Sequence, residues 1–435
     1  MLPVTAALAD LSAADLEAFL AKTRADLDAF KARGLKLDMT RGKPSPEQLV
    51  FAEGMLALPG NRDHTSEANE DARNYGNLQG LAETRKLFAG TMGAPAERVV
   101  VGGNASLAMM HDVIVWALLK GVPGSARPWS KEEEIVFLCP APGYDRHFAI
   151  CEEFGIRMIP VRLTGEGPDM DQVEELVRDP AVKGMWCVPK YSNPTAETYS
   201  DETVRRLAKM ETAAPDFRLF WDNAYAVHHL TDAKAEILNI LDECAAAGHP
   251  DRAFVFASTS KMTVAGAGLA FFASSEANVK WQQARAGKQT IGPDKLNQLR
   301  HVRFLKDEAG LAAHMDKHRG SLAPKFKAVT DALQARLGGL GAATWITPAG
   351  GYFVSVDLAP GAASRTVALA KEAGLALTPA GATYPYGKDP QDSNLRLAPS
   401  FPTLADVKVA SEIIAVCMAL ACAEAEEARR KKAAA

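Results

Sequence analysis

An α/β fold is what this sequence predicts: a mostly parallel, doubly wound sheet joined to a smaller α+β unit. Three observations carry the reading. Between Val99 and Phe272, short apolar, β-branched or aromatic segments alternate with helical stretches. Polar residues suited to chemistry follow those segments at once, as ligand-facing residues do at the carboxyl ends of parallel strands. From about residue 300 the alternation gives way to a long helical stretch and then to isolated strands.

In chain order, residues 11–34 read as a helix, with Ser12 as cap and Leu16, Phe19, Leu20, Leu27 and Phe30 at helical spacing up to Gly34. Leu37–Pro46 is a loop, and its Arg41, Gly42 and Lys43 suit either an anion or a plain turn. An amphipathic run, Leu81–Phe88, precedes the strand Val99–Val101 and the apolar helix Leu107–Leu119. Gly102–Ser106 between them form a glycine turn at a helix N-terminus, where free N–H groups and the helix dipole favour a phosphate. Asn104 or Ser106 serves equally as an ordinary cap there. Strands then fall at Ile135–Leu138, 157–162, Met185–Val188, Leu219–Trp221, Phe254–Phe256 and Leu269–Phe272, with helices near 146–154, 170–178 and 201–211. His301–Leu337 reads as a long helix broken near Gly310 and Gly320, and Phe353–Asp357 as a strand with one exposed face. A helix near 364–373, a loop over 378–394, the strand Leu395–Leu397 and a helix over 403–427 follow. The charged end, Glu426–Lys432, is expected to fray.

The 435 residues suit one large and one smaller unit, and 47% hydrophobic with 23% charged residues is ordinary globular composition. A net charge of −4 gives no electrostatic reason to expect nucleic acid or an anionic membrane as partner. No apolar run approaches the roughly 20 residues a bilayer span needs. Met1–Thr5 lacks the basic segment of a secretory signal, and the six scattered cysteines read as reduced core residues, so the cytoplasm is the expected compartment.

The chemistry gathers at Ser258-Thr259-Ser260-Lys261. A lysine ending a buried strand among small residues is placed where desolvation lowers its amine pKa, as imine-forming lysines require. An aromatic aldehyde phosphate bound there would need several partners. Asp222 can keep its ring nitrogen protonated, and Asn193 and Tyr225 can reach its ring hydroxyl. Ala105, Ser106, Ser258 and Ser260 can hold its phosphate, and Tyr144 can cover its face. Arg396 suits an amino-acid carboxylate.

These landmarks, in the order Tyr75…Gly80, Asn104-Ala105-Ser106, Pro140…Tyr144, Ser192-Asn193-Pro194, Asp222-Asn223-Ala224-Tyr225, Ser258-Thr259-Ser260-Lys261 and Asn394-Leu395-Arg396, resemble the fold-type I aminotransferases dependent on pyridoxal 5′-phosphate. Thr40–Ser45 and Ser260–Gly268 are most similar to a divergent bacterial subgroup of aspartate aminotransferases. The resemblance implies L-aspartate:2-oxoglutarate amino transfer by a ping-pong mechanism through a Lys261 aldimine, with Lys261 as general base and acid. It implies pyridoxal 5′-phosphate on Asp222, Asn193, Tyr225, Tyr144, Ala105, Ser106, Ser258 and Ser260. Substrate is expected at Gly42, Asn193 and Arg396, and a homodimer in which Tyr75 reaches the neighbouring subunit's phosphate. The units expected are 1–50, joining the small domain; 51–310, the large cofactor-binding domain; and 311–435, the small α+β domain.

Three departures from the family stand out. The usual phosphate-binding arginine falls at Gly268, and the ring-stacking motif is one residue short. The arginine for a side-chain carboxylate has no match in Gln289–Lys295, which leaves Arg41, Lys43 or Lys295. A transaminase for another amino acid or a β-lyase would keep the same cofactor. A ligand-sensing regulator would add a DNA-binding helical unit ahead of Asp38, and none is expected. No Gly-x-Ser-x-Gly and no dinucleotide fingerprint points to a hydrolase or dehydrogenase.

Overall fold

Seven strands form the central sheet of the computed structural model, which describes residues 7–434. Met1–Thr5, read above for a secretory signal, lies outside the described residues. The sheet order is Val99–Val101, Ala270–Ala273, Ala253–Ser258, Arg218–Asp222, Val182–Cys187, Val136–Ala141, Arg157–Arg162. Ala270–Ala273 runs antiparallel to both neighbours, and every other pairing is parallel.

Helices cover both faces, so the strands are apolar on both sides rather than alternating with polar residues. Val136, Leu138, Leu219, Trp221, Val255 and Ala257 belong to one core. Their chain neighbours Phe137, Cys139, Phe220, Phe254 and Phe256 belong to the core on the opposite face. This is the doubly wound arrangement that the alternation predicts. All six cysteines are buried and unpaired. Among the described residues no helix is long and apolar enough to cross a membrane.

A third core joins the two ends of the chain. Leu16, Leu20 and Leu27 of the helix Ala13–Lys31 pack with residues of the closing helix Leu404–Ala434 and of the antiparallel sheet Asn394–Leu397, Val354–Leu358, Ala343–Trp345. Ser12 accepts from the Asp15 N–H as the expected cap. Leu37–Asp38 then pairs in parallel with Leu375–Ala376, which brings the Arg41–Lys43 loop to the chain's C-terminal half.

Four expectations need correction. The helical break falls at Lys306, which adopts φ 69° between Lys295–Leu305 and Glu308–Leu337, and the second helix runs unbroken through Gly320. Gly310 is instead the first-turn residue whose N–H donates to the capping Asp307. Val354–Leu358 is the middle strand of its sheet and is buried except at Asp357. Glu426–Lys432 stays helical, because Arg430 pairs with Glu426 and donates to the carbonyls of Leu8, Ala9 and Leu11. Short helices at Ile240–Ala246 and Glu276–Ala286 follow caps at Asn239 and Ser275 that the sequence reading passed over.

Candidate active site

Parallel pairing aligns the ends of two neighbouring strands. Asp222 stands opposite Phe256, and the Asn223 N–H donates to the Phe256 carbonyl at 2.7 Å. Both strands therefore deliver their next residues to one rim. After Ser258 the chain turns at Thr259, which exchanges two hydrogen bonds with Leu269: its N–H donates to the Leu269 carbonyl and its Oγ1 accepts from the Leu269 N–H, both at 2.8 Å. Lys261 sits in the turn so closed. Its Nζ lies 5.0 Å from the centroid of the Tyr225 ring and 6.0 Å from that of Tyr352. Burial lowers the amine below its ordinary value, and Asp222 works against that shift.

Asp222 is buried. Its Oδ2 lies 3.1 Å from His147 Nε2, and its Oδ1 has no hydrogen-bond partner. The His147 ring stacks on Trp186 with centroids 4.3 Å apart and planes 9° from parallel. Tyr144 meets the same imidazole edge-on, at 4.9 Å. Its phenol is pushed up to about 12 by burial first, with Asp222 and Asp145 adding to the effect. Tyr225, buried and stacked on Tyr352, is raised for the same leading reason. The sequence reading missed His147, although its place three residues after Tyr144 puts both on one face of the helix Asp145–Glu153.

Arg396 reaches this rim from the antiparallel sheet. Its Nη1 donates to Asp145 Oδ1 at 2.8 Å and to Asn193 Oδ1 at 3.4 Å, while its Nε is buried without a partner. The guanidinium lies 5.0 Å above the Phe353 ring. Gly42 packs against that same ring, where a Cβ would stand 2.3 Å from Phe353 Cζ. Only a glycine lets the Arg41–Lys43 loop approach the support of Arg396 this closely.

On the other side of Lys261, Ala105 is the N-cap of the helix Ser106–Lys120, and no side chain caps that end. The Ser258 hydroxyl donates to Ser260 Oγ at 3.0 Å, and Ser260 Oγ donates to the Asn104 carbonyl at 3.2 Å. Hydroxyls and free helix N–H groups thus lie together, as an anion site requires. Gly268 has no room for a longer residue: a Cβ would lie 2.8 Å from Thr259 Oγ1. Asn297 Nδ2 donates to the carbonyls of Ala267 and Gly268 at 3.0 Å each.

Tyr75 is not brought to this cluster by its own chain. It stands 79% exposed, and its loop packs where Gly76 meets Gly292. Lys295 is buried and paired with Glu70, which removes it as a free cation for a substrate. Lys43 Nζ lies 4.0 Å over the Phe401 ring, and Arg41 is exposed.

Comparison with known proteins gives the chain's family and fold. The family model described as aspartate amino-transferase matches residues 11–430. An aspartate aminotransferase of Corynebacterium glutamicum is 51% identical over 417 residues, 96% of each chain. The crystal structure of an aspartate transaminase from that organism superposes with a TM-score of 0.95 at 51% identity, covering 97% of this chain and all of the other. An α-aminoadipate aminotransferase from Thermus thermophilus, complexed with N-(5′-phosphopyridoxyl)-L-leucine, shares the fold at 22% identity, with a TM-score of 0.71 over 94% of this chain and 98% of its own. The chain belongs to the aspartate amino-transferase family, and it is a transaminase of fold-type I architecture.

Proposed function

We propose that this transaminase moves the amino group of L-aspartate to 2-oxoglutarate by a ping-pong mechanism, with pyridoxal 5′-phosphate carried at Lys261. The observation that carries the reading is the unpaired, buried Asp222 Oδ1 at the rim that also holds Lys261. A buried carboxylate oxygen without a donor is costly, and a protonated ring nitrogen is the partner that would satisfy it. The uncapped helix at Ala105–Ser106 and the Ser258 and Ser260 hydroxyls fit the cofactor's phosphate, Asn193 and Tyr225 its ring hydroxyl, and Tyr144 its face.

When bound, the cofactor supplies a sink for the electron pair released from the substrate Cα–H bond. The protein's part is positioning and proton movement. Its lowered pKa gives the Lys261 Nζ a larger neutral fraction near neutral pH, fit to take the Cα proton and to return a proton two bonds away, in a 1,3-transfer. His147, fixed on Trp186, orients Asp222. Asn193 and Asp145 hold the Arg396 fork, whose free Nε side faces a substrate α-carboxylate. Gly42 keeps the neighbouring loop close. One arginine serves the amino acid and the oxo acid in turn, which is what a ping-pong cycle asks of a single pocket.

The same reading divides the chain into 1–50, 51–310 and 311–435, and makes it a homodimer in which the exposed Tyr75 completes the partner's phosphate site. The test is the absorbance spectrum of the purified protein before and after L-aspartate. A visible band that survives dialysis and moves to the near ultraviolet supports both the Lys261 assignment and the first half-reaction. A band indifferent to aspartate and glutamate assigns the protein to another amino donor. A protein that stays colourless with added cofactor refutes the reading.

A further inference from the structure

Directly behind Lys261 lies a group of buried polar side chains that the mechanism above does not use: Gln48, His228, His314, His318 and Tyr352, each at most 4% exposed. They arrive from four separate stretches of the chain. Gln48 lies in a capping box, its Oε1 accepting from the Ser45 N–H. His228 follows the Asp222 strand, and His314 and His318 lie one turn apart on Glu308–Leu337. Tyr352 is carried in by Gly350 and Gly351. The Gly351 N–H donates to the His228 carbonyl at 2.9 Å, and a Cβ on Gly350 would strike the Tyr191 ring at 2.3 Å.

The hydrogen bonds of this group run one way. With its oxygen occupied, the Gln48 amide donates to His318 Nδ1 at 3.0 Å and to Tyr352 Oη at 2.9 Å. Neutral His318, accepting at Nδ1, must carry its proton on Nε2, which lies 3.2 Å from His314 Nε2. His314 Nε2 donates to the Met262 carbonyl at 2.7 Å. The Tyr352 hydroxyl, having accepted from Gln48, donates to the Lys261 carbonyl at 3.4 Å. His228 Nε2 donates there too, at 3.3 Å, which leaves its Nδ1 a buried acceptor without a donor. Two consecutive peptide carbonyls, those of Lys261 and Met262, thus collect three side-chain donors, with Gln48 and His318 packed behind them.

We infer that Gln48, His228, His314, His318 and Tyr352 form a positioning cradle that fixes the Lys261–Met262 peptides, and through them the place of the Lys261 amine over Tyr225. The inference rests on the assignment of Lys261 as the reactive amine. Met262 and Leu269 anchor the turn from 259 to 269 in the core, but Ala265–Gly268 between them offers no large side chain, so these bonds add to what fixes the Lys261 peptide. A buried polar network of this kind is worth more as a positioning device than as a source of stability. The cradle joins the Ser45–Val50 segment, beside the Arg41–Lys43 loop, to the catalytic turn, so both sides of the substrate pocket share one support.

The test uses His314→Leu, which removes one donor, His314→Gln, whose amide can restore it, and Tyr352→Phe, which removes only a hydroxyl. The Lys261 amine is titrated without cofactor, by following its labelling with an amine-reactive reagent in the intact protein by mass spectrometry. Loosening the turn exposes the amine, so the midpoint should rise by about one pH unit in His314→Leu and Tyr352→Phe and return with His314→Gln. In the loaded enzyme kcat for aspartate should fall about tenfold with KM little changed, since Arg396 is untouched. Midpoints equal to wild type in both Tyr352→Phe and His314→Leu would overturn the cradle. Failure of the wild-type protein to form a visible band would overturn the cofactor reading instead, and the cofactor-free titration would still decide the cradle.

Discussion

Asp222 holds one carboxylate oxygen against His147 and leaves the other unpaired inside the protein. Asp222→Asn therefore weakens a charge-assisted bond by about 1.5–3 kcal/mol, and kcat/KM for aspartate should fall about ten- to a hundredfold. Steady-state kinetics check this, with circular dichroism confirming an intact fold. Arg396 makes the opposite division. Arg396→Lys keeps the charge but loses the planar fork, so KM for aspartate should rise about tenfold or more while the visible band stays unchanged. If the band disappeared instead, Arg396 would hold the cofactor's environment rather than the substrate. Gly42→Ala acts on the same site from outside, because its Cβ cannot coexist with the Phe353 ring as placed. It should raise KM in the same direction as Arg396→Lys.

Among the elements, the closing helix shows how a reading by composition can miss a tertiary role. Glu426–Lys432 carries the charge of a frayed end, yet Arg430 bonds three carbonyls of the N-terminal segment. Arg430→Ala should lower stability by about 1–2 kcal/mol, read as a lower urea midpoint, and free residues 8–11 to faster amide exchange. The long helix teaches the same lesson. Gly310 and Gly320 look like breaks on propensity alone, but the break falls at Lys306, where the chain takes a left-handed turn that no sequence signal marks. Val354–Leu358 alternates in hydrophobicity, yet as the middle strand of three it has both edges paired, and of its polar residues Ser355 is buried and only Asp357 is exposed.

For the whole molecule, acid is the exposed side of its stability. Burial pushes His301 and His318 down to about 4 and His228 to about 3. His229 reaches about 4 from burial first, with Lys190 and Lys234 adding. Around His228 the facing charges are Lys261, His318 and His229. The unfolded chain binds protons to these groups at a higher pH than the folded one does. Their contribution is therefore complete above about pH 6.5 and is lost as the pH falls through about 4. Glu197, raised to about 7 by burial, opposes this, since its contribution is lost as the pH rises from about 4.5 to 7. Four histidines against one carboxyl make the urea midpoint fall on going from about pH 7.5 to 5. The exposed Tyr75 gives a second molecular test. Mixing Tyr75→Ala with Lys261→Ala subunits should restore activity that neither has alone, if one site takes its tyrosine from the partner.

The linear chain determined the alternation of strands and helices, and with it the doubly wound sheet and the rim where its strands end. It also made most of the candidate site legible, because Ser106, Tyr144, Asn193, Asp222 and Lys261 each follow a strand, and parallel strands place such residues at one edge. What the tertiary structure alone decided are contacts between residues far apart in sequence. The pairing of Arg396 with Asp145 and Asn193 is one, the loss of Lys295 to Glu70 another. The donors converging on the Lys261 and Met262 carbonyls from positions 228, 314 and 352, backed by Gln48 and His318, are a third. Periodicity reports which face of an element is apolar; it carries no information about which distant polar group will meet another once those faces are buried.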